Sequence, residues 1–112
     1  MDETVRIVYE RLIEVARAKS ITNYSDVGQL VGLDMGTEVG RTRIAQILDE
    51  INHHEHEYNR PMLSAVVIRQ DINMPGSGLF ECEEGLGRHI GDNELLFWIS
   101  HLNQVHDYWR SH

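Results

Sequence analysis

Apolar residues recur at helical spacing from the start of the chain. Val5, Val8, Tyr9, Leu12 and Ala16 stand at i, i+3, i+4, i+7 and i+11 and form one stripe. The spacing predicts a first helix from about Asp2 or Thr4 to Lys19, with either residue as its cap and Arg17 and Lys19 suited to the negative end of the helix dipole. The string SITN breaks the pattern. A second helix is expected over about Tyr24–Val31, capped by Thr22 or Asn23 and ended by Gly32. LDMGT then turns the chain into a third helix, from near Thr37 to about Tyr58, whose core residues are Val39, Ile44, Ile47, Leu48 and Ile51. Asn59-Arg60-Pro61 ends it, because the residue before a proline is driven out of the helical region. Whether that helix is continuous through His53–Tyr58 stays open at this level.

Beyond the proline the period changes. Leu63–Arg69 is β-branched and apolar on both faces, which predicts a well-buried strand. NMPGSG is turn chemistry, and Leu79–Cys82 would pair back as a second strand. A glycine-bearing connector, EEGLGRHIGDNE, leads to a last helix at about Asn93–Trp109, with Leu95, Trp98, Ile99, Leu102, Val105 and Trp109 on one stripe. The expected fold is therefore α+β and winged helix-turn-helix-like: three helices, a two-stranded hairpin and a C-terminal helix, as one domain over residues 1–112.

Composition changes the picture mainly through charge. Ordinary globular fractions, 41% hydrophobic and 25% charged, suit a chain of 112 residues that buries roughly two thirds of its unfolded surface. One cysteine, Cys82, between Glu81 and Glu83, reads as a small core residue and suits a reducing compartment. With no apolar run of membrane length and no secretory pattern in MDETVR, a cytoplasmic protein without membrane contact is expected. Eighteen carboxylates against ten Lys and Arg give −8, and a net acid binds phosphates poorly unless its charges are segregated. Partly, they are. Asp49, Glu50, Glu55 and Glu57 crowd the later third helix and Glu81, Glu83 and Glu84 follow the turn, whereas Arg41 and Arg43 sit near the third helix's start and Arg69 opens the wing.

Three sets of residues could carry chemistry. Thr42, Gln46, Asp49 and His53 project opposite the third helix's apolar stripe, flanked by Arg41 and Arg43. Thr and Gln can reach base edges while Arg holds phosphates, so Arg41, Thr42, Arg43, Gln46 and the wing's Arg69 are candidate DNA contacts. The bland alternative is a solvated helix face and a simple hairpin. On the last helix, Phe97, His101 and Tyr108 form a second strip, read either as an exposed partner interface or as a core contact, and His106 reads as a packed histidine. His53, His56 and Glu57 have the spacing of a metal pair, but a site needs three or four ligands and no HExxH or CxxC pattern supplies them, so a solvated, pH-sensitive helix end is the simpler reading. No metal, cofactor or enzymatic constellation is expected.

Residues 21–69 resemble the winged-helix core of the O6-alkylguanine alkyltransferase-like family. The resemblance is carried by ITNYSDVGQLVGL, similar to that family's tyrosine-containing helix start, by the arginine-bearing GRTRIAQIL and by RPMLSAVVI, a proline before a valine-rich strand. It implies that the third helix is a recognition helix and that an arginine near its start, Arg41 or Arg43, supports base flipping. The family's Pro-Cys-His-Arg motif is absent, so alkyl transfer is not implied. RPMLSAVVIR followed by MPGSGLF is also similar to small uncharacterised prokaryotic proteins, which implies no function. A non-enzymatic, DNA-binding accessory or regulatory protein is the first expectation. The second is an acidic protein-interaction module, a complex subunit, homodimer or DNA mimic, using its acidic faces and the last helix.

Overall fold

Helices begin where a short polar side chain takes up a free backbone N–H. The computed structural model describes residues 1–76, 79 and 94–112. In it α1 (Glu3–Arg17) is capped by Asp2, whose Oδ1 accepts from Val5 N at 2.9 Å. α2 (Tyr24–Leu30) is capped by Asn23, accepting from Asp26 N at 2.8 Å, and α3 (Glu38–Glu57) by Thr37, accepting from Gly40 N at 3.0 Å. All three close on a left-handed residue: Lys19 (φ 53°), Gly32 (φ 74°) and Asn59 (φ 57°). The next residue then donates back into the helix, Ser20 N to Val15 O, Leu33 N to Gly28 O and Arg60 N to Glu55 O. α3 runs unbroken through His53–Glu57, with Tyr58 as its C-cap.

The segment after Pro61 is a correction. In place of a strand over Leu63–Arg69 there is a 3-10 turn at Leu63–Val66 and a two-residue strand, β2 (Val67–Ile68). β2 pairs in parallel with β1 (Thr22–Asn23), Thr22 opposite Val67 and Asn23 opposite Ile68. Met62 to Ile68 is buried throughout, with helices around it instead of further strands. Its backbone is therefore satisfied by side chains as well as by the turn and the strand pairing. Met62 N donates to His101 Nε2 (2.8 Å), Ser64 N to Asn52 Oδ1 (3.3 Å), and Trp98 Nε1 to Ala65 O (2.8 Å).

The expected hairpin is also revised. Arg69 and Met74 form an antiparallel bridge, with Arg69 N donating to Met74 O and Asn73 left-handed between them. Leu79 is helical and buried, and the rest of the second strand expected at Leu79–Cys82, Cys82 included, lies outside the described residues. The described architecture is an α+β fold of four helices and this small two-stranded parallel sheet.

α4 (Glu94–Arg110) turns a different face inward from the one expected. Trp98, His101, Val105, His106 and Trp109 are buried, while Leu95 and Ile99 are exposed. Two hydrogen bonds to the central segment, from Trp98 and to His101, set this rotation. Val39, expected in the core, is 78% exposed: α3 meets the core one residue later, through Gly40, then Ile44, Ile47, Leu48 and Ile51. Among the described residues no helix is long and apolar enough to cross a membrane.

Candidate functional site

An open groove of about 700 Å³ runs between α2, α3 and the Arg69–Gly76 turn. Its α3 wall is Arg41, Ala45, Leu48, Asp49 and Asn52, one helical face; Tyr24, Met35, Arg69, Asp71 and Gly76 also line it, and Ser64 is buried against Asn52. Two glycines make this shape. A Cβ on Gly40 would lie 2.1 Å from the Asp34 carbonyl oxygen, so only glycine lets the 34–37 turn pack on the start of α3. A Cβ on Gly76 would lie 2.8 Å from the Tyr24 hydroxyl, which instead accepts from Gly76 N at 3.1 Å.

The residues expected to contact DNA separate here. Arg41 and Arg69, from different elements, line the same groove. Arg41 donates to Met35 O at 3.2 Å, and no carboxylate among the described residues pairs with it. Arg69 holds Asp71 through Nε (3.1 Å) and Nη2 (2.7 Å). Thr42 and Gln46 lie exposed beside the groove wall. Arg43 turns away toward Asp2, 3.4 Å distant, where the Val5 N–H and this arginine hold the Asp2 carboxyl below its ordinary value. Arg6, Arg11, Arg60 and Arg110 also lie within 4.0 Å of carboxylates, so most of the described positive charge is neutralised within the chain.

The strip read as a partner interface is not an exposed one. His101 is 3% exposed and accepts the Met62 N–H, Phe97 stacks on it at 5.7 Å, and Tyr108 packs half-buried against Trp109. The core alternative therefore describes it. His106 is buried with Nε2 2.9 Å from Ser20 O, a packed histidine. In the histidine run, His53 Nδ1 lies against the Asp49 carbonyl and His54 against the rings of Tyr9 and Tyr58. Among the described residues no three His, Cys, Asp or Glu side chains gather as metal ligands would.

Sequence reasoning missed a buried ionic cluster at the end of α3. Glu55 has no exposure; its carboxylate accepts from Tyr9 Oη (2.5 Å), Arg60 Nε (2.9 Å) and Arg60 Nη2 (3.1 Å). Burial first, then the bond to Glu55, pushes the Tyr9 phenol well above its ordinary value, and the same carboxylate raises Arg60. Glu55 follows Ile51 by four residues and Ile44 by eleven, so the helical period does place it on the inner face. Comparison with protein-family models, curated proteins and solved structures finds no match for this chain.

Proposed function

We propose that this is a non-enzymatic DNA-binding module that lays the start of α3 against a duplex and admits one extruded nucleotide to the groove. The carrying observation is the convergence of Arg41 and Arg69 on one groove whose volume suits a nucleobase and whose walls supply Tyr24, Met35, Ile44 and Leu48 for stacking and apolar contact. Thr42 and Gln46, exposed on the adjoining face of α3, supply groups that reach base edges. The family resemblance of residues 21–69 supports the same assignment, since it implies a recognition helix here and an arginine near its start that aids base flipping. We assign that role to Arg41, which lines the groove, since Arg43 is drawn to Asp2.

The test is fluorescence anisotropy on random duplex DNA from low to physiological salt. Wild type is expected to bind, weakening with salt, and Arg41→Ala to bind less tightly with a salt slope shallower by about one. No binding even at low salt would sink this assignment. The second reading, an acidic module that binds a protein, would then stand. It is favoured by the internal pairing of Arg43 and Arg69 at −8 overall, and by an exposed apolar surface at Leu95, Leu96 and Ile99 where the expected strip is not.

A further inference from the structure

We infer that the groove selects its nucleotide with hydroxyl donors, and that the base it admits turns a carbonyl, not an amino group, toward Ser64. This rests on the DNA assignment above. Ser64 and Asn52 are both buried and both line the groove. Their mutual hydrogen bonds allow one arrangement. Ser64 N–H donates and needs an oxygen, and Asn52 Oδ1 lies 3.3 Å away. The amide is thereby fixed with Nδ2 facing Ser64 Oγ at 2.8 Å. An amide nitrogen only donates, so Oγ accepts and its own hydrogen is left to bond elsewhere. No acceptor among the described residues takes it.

Tyr24 repeats the pattern at the wall. Its oxygen accepts from Gly76 N, no acceptor among the described residues takes the phenolic hydrogen, and burial keeps that proton on by raising the phenol above its ordinary value. Of the groove's carboxylates, Asp71 is held by Arg69, and neither Asp71 nor Asp49 accepts from Ser64 or Tyr24. Two hydroxyl donors without acceptors among the described residues call for an acceptor-bearing occupant. A base carbonyl takes up such a hydrogen, whereas an exocyclic amine can use only the hydroxyl's remaining lone pair and leaves the hydroxyl hydrogen unpaired.

The experiment compares two duplexes that differ only at the C6–N1 edge of one base, hypoxanthine (carbonyl, N1–H) or adenine (amine, bare N1) opposite an abasic-site analogue, by anisotropy with the whole chain. Wild type is expected to bind the hypoxanthine duplex about tenfold more tightly. Ser64→Ala should lose that preference while still binding plain duplex. Asn52→Asp replaces the amide donor with an acceptor, turns the Ser64 hydrogen inward, and should reverse the preference toward adenine. Equal binding by wild type, a preference for adenine, or a preference that survives Ser64→Ala overturns this inference alone. Failure to bind any duplex overturns the DNA assignment and this inference with it.

Discussion

Glu55 and Arg60 show how much one residue's surroundings can decide. A fully buried carboxylate is tolerable only because Arg60 and Tyr9 meet both its oxygens. Removing one partner strands the charge, so Arg60→Met is expected to destabilise by about 3–5 kcal/mol. Adding Glu55→Met to that variant should recover at least half of the loss, since no bare charge is then left behind. Urea denaturation of the single and double variants checks this, and a double variant no better than Arg60→Met would contradict it. At this scale much was legible. Asp2, Asn23 and Thr37 cap as their side-chain chemistry predicts, and Asn59 before Arg60-Pro61 ends α3. Arg60 was not legible as a core residue, because its partners Glu55 and Tyr9 lie on two different helices and only the fold brings them together.

Among elements, the packing of the 34–37 turn on α3 is the tightest dependence. Gly40→Ala puts a methyl onto backbone that cannot step aside and is expected to cost about 3 kcal/mol. Gly28→Ala meets the Met35 side chain, 2.7 Å away at Cγ, which can turn, and the Leu33 carbonyl oxygen no closer than 3.4 Å, so its cost should be markedly smaller. Thermal melts of the two variants give the ordering, and equal losses would contradict it. The helices were legible from period and caps, but the strand was not. LSAVVI is apolar on both faces, and such a run fits a strand or any other fully buried segment. Its true partner is a polar dipeptide, Thr22-Asn23, which carries no strand signal of its own. The facing of α4 was ambiguous for a similar reason. Residues 95–99 are all apolar, so the bonds made by Trp98 and His101 choose the face, not periodicity.

For the whole molecule, two phenols tie separate parts together: Tyr9 joins α1 to the end of α3, and Tyr24 joins α2 to the Gly76 turn. Both are raised above their ordinary values in the fold, so each binds its proton more tightly folded than unfolded. Their contribution is complete below about pH 10, the unfolded tyrosine value, and is lost as pH rises through the folded ones. Stability should therefore fall above about pH 10, and Tyr9→Phe should fall less steeply; urea midpoints at neutral and alkaline pH measure it, and parallel curves would contradict it. The groove itself was only half legible: its two arginines stood out, but Asn52 on α3 and Ser64 in the 3-10 turn are paired only by the fold, which is closed nearby by the register of β1 on β2. That register has a consequence in time. The two strands enclose a loop running from residue 22 to residue 67, a closure whose entropy costs about 3 kcal/mol before any bond is gained. Helices, being local, form first. A newly made chain thus has α3, one wall of the groove, before it has the floor that Ser64 supplies beneath it.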